Sequence, residues 1–232
     1  MVRTTIISEG KANNLFWLGR YEERVYLTLH QLRKCYDLMI DGKPEEYKHF
    51  WEKLDGANAY ENNNDFTLSM MYDASNVSSV MSAQIRAMDN AILMREDITS
   101  ETLSYLEMSI ALMKRCSNQN DTSLSCLQPI IDWSLAFWGS AEQRIQNHKA
   151  LYIMLIGRNL ENLDMLIRFG YNFDRVSFAY NTLLRLSRQM ADLIDSDTEY
   201  KLDNLMVREK FNLNDAAYKS EILANINKLV NI

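Results

Sequence analysis

Between residues 12 and 40, apolar side chains fall on alternating three- and four-residue steps: Leu15, Leu18, Val25, Leu29, Leu32, Tyr36 and Met39. That spacing puts them on one face of a single long helix. Position 22 would complete the series, but it holds Glu22. Gly42 ends the helix, and Pro44 with Glu45 and Glu46 suits the first turn of a short one carrying Phe50, Trp51 and Leu54. Residues 55–65, DGANAYENNND, read as a polar loop and as the best place for a mobile or partner-facing segment. The next helix opens at Asn76, a good N-cap residue, and runs through Val80, Met81, Ile85, Met88 and Ile92 toward Arg95. Thr99 and Ser100 before Glu101 mark another start, with Leu103, Leu106, Ile110 and Met113 as its apolar face. After a second polar loop at 117–123, a tryptophan- and leucine-rich helix begins near Leu124, with Pro129 tolerable only near its start. A long helix at 141–169 closed by Gly170, another at 176–194, and shorter ones near 200–210 and 215–230 complete the pattern.

This pattern predicts an all-α fold, a multi-helix bundle. Composition agrees: the chain has only 7 Gly and 2 Pro among 232 residues, too few for the many turns of a β or doubly wound fold. No shift in composition marks a boundary, so one helical domain is expected over 1–232, with a core at about 5–195 and a C-terminal helical extension at 196–232.

Charge narrows the function classes. The 25 basic and 31 acidic residues leave −6, and no basic block stands out, which argues against nucleic acid as a partner. Arg20, Arg24, Arg86, Arg95, Arg158 and Arg168 could converge on a local basic pocket, but solvated helix faces are the preferred reading. Cys35, Cys116 and Cys126 are odd in number and lack C-x-x-C spacing, which argues against a disulfide framework or structural zinc. The first ten residues lack the apolar core of a signal peptide, and no stretch approaches the roughly 20 apolar residues of a membrane span. A cytoplasmic protein without a membrane segment is expected.

The strongest internal signal is a repeat. WLGRYEERVYLTL at 17–29 matches LIGRNLENLDMLI at 155–167, aligning Gly19 with Gly157, Arg20 with Arg158 and Glu23 with Glu161. Leu18, Val25 and Leu29 align with Ile156, Leu163 and Ile167, while Glu22 faces Leu160. The bundle is therefore expected to contain a pseudo-two-fold repeat of a long Gly-Arg-x-x-Glu helix. A glycine inside a helix costs about 1 kcal/mol relative to alanine, so each is expected where another backbone comes close. The glutamate one turn later would sit partly buried at that contact, with the arginine of its own helix in reach. Two such helices together would form an Arg/Glu cluster. A buried ion network that fixes helix register is the preferred reading over an anion- or ligand-binding centre.

These residues resemble a known family. NLFWLGRYEER at 14–24 is similar to the N-terminal signature of the alpha-E family, an all-helical domain named for its Glu-Arg motif. NVSSVMSAQIRAMDNAILMREDITSETL at 76–103 resembles the family's Asn-Pro-Ser-Ser segment, and GRNLEN at 157–162 its second Gly-Arg-x-x-Glu-Arg copy. The resemblance covers about residues 5–190. It implies signature positions at Gly19, Arg20, Glu23 and Arg24, at Asn76, Ser78, Ser79, Arg86, Asn90 and Arg95, and at Gly157, Arg158 and Glu161. The chain departs from the pattern at Glu22, at Val77 in place of proline, at Asn162 in place of the second arginine, and at His148 and Lys149 in place of an acidic pair. Family members accompany, or are fused to, an unusual ATP-grasp protein, often beside a transglutaminase-like protease. The resemblance thus implies an accessory component in complex with an ATP-grasp ligase of an amide- or peptide-bond-forming system.

Enzymatic chemistry finds little support in the residues. The only histidines, His30, His49 and His148, do not supply the two Glu-x-x-His pairs of a di-iron bundle. GKANNLF at 10–16 lacks the spacing of a phosphate loop. Asn76, Ser78 and Ser79 suit an N-cap and first turn, where free N–H groups could also hold an anion. The expectation is a non-catalytic, partner-binding helical module with no catalytic residue, metal or cofactor. Its candidate binding residues are Arg20, Glu23, Arg24, Arg158 and Glu161, and in the second segment Asn76, Ser78, Ser79, Arg86, Asn90 and Arg95. The alternative is a helical enzyme or small-ligand-binding protein that holds an anionic or acyl substrate with Arg20, Arg86 and Arg158. Trp51, Trp133 and Trp138 would suit a homodimer surface, though a core position explains them equally well.

Overall fold

The structure is a computed structural model that describes residues 7–54, 56 and 60–232. Among these residues it has eleven α-helices: α1 (Glu9–Ile40), α2 (Glu46–Lys53), α3 (Asn63–Tyr72), α4 (Val80–Leu93), α5 (Arg95–Ile98), α6 (Ser100–Asn118), α7 (Leu124–Arg144), α8 (His148–Arg168), α9 (Phe173–Ser187), α10 (Ser196–Leu205) and α11 (Ala216–Ile226). A 3-10 turn at Arg188–Leu193 follows α9. A lone antiparallel bridge joins Ile194 to Val230. No helix is long and apolar enough to cross a membrane among the described residues.

The helix boundaries follow local chemistry. Gly42 and Gly170 adopt φ of +96° and +71° just past α1 and α8, a backbone conformation that side chains with a Cβ disfavour. Asn172, Asp195 and Asp215 accept backbone N–H groups in the first turns of α9, α10 and α11.

Several expectations change. The polar segment 55–65 is interrupted by the start of α3, where the Asn62 side chain accepts from the N–H groups of Asn64 and Asp65; Asp55, Ala57, Asn58 and Ala59 lie outside the described residues. The cap of α4 is Ser79 and not Asn76: the Ser79 hydroxyl accepts from Ser82 N at 3.0 Å and donates to the Asp73 carbonyl at 2.6 Å. The helix expected at 141–169 is broken at 145–147, because Ile145 turns extended (ψ 108°) to stay buried as the chain leaves α7. Pro129 lies inside α7, in its second turn.

The largest correction concerns the cysteines. Cys116, near the end of α6, and Cys126, in the first turn of α7, form a disulfide with a Cα–Cα distance of 6.2 Å. The α6–α7 turn brings them together across a sequence separation of 10, and closing so short a loop contributes about 3 kcal/mol. Disulfides persist in oxidising compartments and are rare in the cytosol, so these cysteines lend no support to the cytoplasmic expectation. Cys35 is free and buried, and burial pushes its thiol up to about 12.

Contacts gather into two compact units, one comprising the chain up to Arg20 together with His148–Ile232, the other Tyr21–Asn147. In the first, α8 packs against α9 and α11, and α10 packs against α11. In the second, α6 and α7 form an antiparallel hairpin tied by the disulfide, with α4 on α6 and α3 on both α4 and α6. Rings of Tyr47, Phe50 and Tyr60 gather about the fully buried Phe66, with centroids 5.3–5.6 Å from it. Trp51 and Trp138 are buried, the core position that the sequence also allowed, and Trp133 is half-buried.

Candidate functional site

The signature glycines do what their cost in a helix suggests. A Cβ on Gly19 would lie 2.1 Å from the carbonyl oxygen of Met154, and one on Gly157 would lie 2.2 Å from that of Phe16. The contacts are reciprocal: each glycine meets the residue three positions before the other. Backbone therefore touches backbone where α1 crosses α8.

Arg20, next to Gly19, and Glu161, one turn beyond Gly157, are 5% and 0% exposed. The Arg20 Nε donates to Glu161 Oε2 at 2.8 Å, and its Nη1 donates to Asn227 Oδ1 at 3.1 Å. Its guanidinium also lies 5.1 Å from the ring centre of Trp17. Asp164, a turn beyond Glu161 on α8, accepts from Arg168 Nε at 2.6 Å. Burial, and then the Glu161 charge, raise the Asp164 carboxyl above its usual range, while Arg168 and Arg20 oppose that shift. Its second oxygen is buried with no hydrogen-bond partner among the described residues. Glu23 is buried, and Arg158 is half-buried.

In the second unit, the residue that broke the apolar series proves to be a hub. Glu22 is 1% exposed. Its Oε1 accepts from Ser134 Oγ of α7 at 2.7 Å and its Oε2 from Gln84 Nε2 of α4 at 3.2 Å. Gln84 Oε1 in turn accepts from Ser109 Oγ of α6 at 3.0 Å. Burial pushes the Glu22 carboxyl up to about 7, with the two hydrogen bonds opposing the shift and the Glu23 charge adding to it. A single polar chain thus ties four helices together.

The second candidate segment divides into three parts. Arg86 and the signature residue Arg24 meet at one ring, their guanidinium carbons 5.7 and 5.9 Å from the centre of Tyr21. Asn90 bonds back to the Arg86 carbonyl at 2.7 Å, and Arg95 is exposed at the start of α5. Ser79 is consumed as the α4 cap. Asn76 and Ser78, by contrast, line a cavity of about 600 Å³ together with Trp51, Tyr60, Ser69 and Asp73.

This cavity is built by a tight turn between α3 and α4. Asn76 Oδ1 accepts from Ser78 N at 3.0 Å, and its Nδ2 donates to Ser69 Oγ at 3.1 Å and to Tyr60 Oη at 3.3 Å. Asp73 Oδ1 accepts from Ser75 Oγ at 2.6 Å and Ser75 N at 2.8 Å. The Ser75 hydroxyl is the main cause that holds the Asp73 carboxyl below its ordinary range. Sequence reasoning found Asn76 and Ser78 but missed Trp51, Tyr60 and Asp73. The Asp73-x-Ser75 turn was the one local signal; the aromatic wall comes from a different part of the chain.

No group of three or more potential metal ligands forms among the described residues. The chain matches the sequence model of the Alpha-E family, a predicted alpha-helical domain with a conserved ER motif, over residues 10–205. No curated protein and no solved structure matches it.

Proposed function

The chain belongs to the Alpha-E family, and from that premise we propose that it is a non-catalytic helical accessory module whose partner is the ATP-grasp ligase of an amide- or peptide-bond-forming system. The observation that carries this reading is the fate of the signature. Arg20 and Glu161 are engaged with each other and with Asn227 inside the protein, directly beside the Gly19–Gly157 contact. Groups used in this way fix the register of two helices, a role buried ion pairs can serve even when they add little net stability. A scaffold of this kind acts through the surfaces it presents. An anionic or acyl substrate held by the Arg/Glu cluster fits less well, because the Arg20 guanidinium is 5% exposed and its donors point to internal acceptors.

The test is association. The full chain, immobilised through a tag, should retain an ATP-grasp protein of the same organism, and the pair should co-elute in size-exclusion chromatography. Failure to associate at about 10 μM of each protein, a concentration that captures ordinary accessory complexes, overturns the proposal.

A further inference from the structure

The Glu-Arg pair for which the family is described occurs once in this chain, at Glu23 and Arg24. Consecutive positions on a helix point about 100° apart, and on α1 that turn divides the pair. Glu23 is buried, whereas Arg24 is only half-buried. A charge that a family conserves at a position open to solvent is more often kept for binding than for packing.

Arg24 is not alone at its place in the fold. Its guanidinium carbon lies 5.9 Å from the centre of the Tyr21 ring, and that of Arg86, on α4, lies 5.7 Å from the same centre. All three side chains are half-buried and belong to one compact unit. Two like charges at one ring repel each other unless a counter-charge joins them. Arg86 finds none in the protein: among the described residues its guanidinium makes no hydrogen bond and no ion pair, and the ring is its one partner. A carboxylate was within reach. Asp89 follows Arg86 by three residues on α4, a spacing at which opposite charges pair along a helix, yet the two make no ion pair. Glu22, beside Tyr21 in the chain, offers none either, since its oxygens accept from Ser134 and Gln84. Arg86 thus lies beside a second arginine and not beside the acid on its own helix. Attraction to a π face uses the charge of a guanidinium and leaves its N–H donors available, so those of Arg86 remain for an acceptor from outside.

We propose that Tyr21, Arg24 and Arg86 form a binding site for a small divalent oxyanion, a phosphate group or a dicarboxylate. Guanidinium N–H groups match the oxygens of either, and two cations match two negative charges. Arg20, bonded internally to Glu161 and Asn227, takes no part; the arginine that shares a ring with Arg86 is Arg24. The site does not rest on the accessory role, and each can fail while the other stands.

Isothermal titration of the full chain at pH 7.5 and constant ionic strength tests it, with inorganic phosphate, succinate and acetate as probes. Phosphate or succinate should bind saturably and at least about tenfold more tightly than monovalent acetate. The tighter of the two dianions tells whether the ligand is phosphoryl or carboxylic, and either result upholds the site. Arg86→Gln should weaken that dianion at least about tenfold and leave the denaturant midpoint nearly unchanged, because the Arg86 side chain has no hydrogen bond in the protein to lose. Arg86→Lys, which keeps the charge without the planar fork, should fall between the two. Absence of saturable binding by either dianion below about 10 mM, equal affinity for acetate, or unchanged affinity in Arg86→Gln overturns the site. So does a marked loss of stability in Arg86→Gln, which would make the arginine a structural one.

Discussion

Glu22 shows how much one position decides. A carboxyl that is 1% exposed is costly to ionise, and burial pushes it up to about 7 from an ordinary 4.5 although its two hydrogen-bond donors oppose the shift. In the unfolded chain it ionises near its ordinary value, so between pH 4.5 and 7 the folded state binds more protons. Stability is therefore fully present below the unfolded value, falls as pH rises, and levels off once the folded group also ionises. The fall amounts to about 3 kcal/mol, and Asp164, raised in the same direction, adds to it. Glu22→Gln should flatten much of this dependence, as seen in denaturant midpoints measured at several pH values, and an unchanged slope would remove Glu22 from the explanation. Arg20 presents the complementary case. Removing it takes the Arg20 guanidinium away from the fully buried Glu161, so Arg20→Met should cost about 3 kcal/mol. The double variant Arg20→Met/Glu161→Leu should recover most of that loss, because it removes both buried charges together. Chemical denaturation of the three proteins reads the difference.

At the scale of elements, the decisive feature is the crossing of α1 and α8. Alanine normally stabilises a helix interior relative to glycine by about 1 kcal/mol. At Gly19 and Gly157 the order should reverse, since the added methyl would fall 2.1 and 2.2 Å from main-chain oxygens that cannot rotate away. Each alanine variant should lose about 2–3 kcal/mol through forced separation of the helices. Gly139, inside α7 with nothing within 4 Å of its would-be Cβ, is the control, and its alanine variant should be more stable than the parent. Thermal melts that rank all three variants alike would show that backbone proximity is not the cause. The α6–α7 hairpin is held differently, by the Cys116–Cys126 bridge and a bond between Thr102 and Ser140 hydroxyls of 2.8 Å. Neither was legible along the chain, because each pair meets only after the turn at 119–123 reverses direction.

At the scale of the whole molecule, the segment beyond residue 205 is the test of what belongs to the fold. The family match ends there, yet α11 packs on α8, Ile222, Ile226 and Leu229 are fully buried, and Asn227 reaches Arg20. Truncation after Leu205 should therefore expose apolar surface on α8 and abolish a cooperative melt, whereas a dispensable extension would leave the melt unchanged. Most of the helices could be read along the chain, because a 3.6-residue period, an N-capping side chain and a glycine stop are local properties that need no neighbour. The long α1, its end at Gly42, the all-α class and the expectation that Gly19 and Gly157 admit a close backbone all came from that information. What remained hidden depends on distance in space: α3 inside an asparagine-rich stretch, the disulfide, the partners of Glu22, the bond from Arg20 to Asn227, and the cavity where Trp51 and Tyr60 meet Asp73. The sequence by itself determined where helices form and which side chains are apolar or charged. Only the tertiary structure decided which charges face inward and which face a cavity, because burial and pairing are set by residues far apart in the chain.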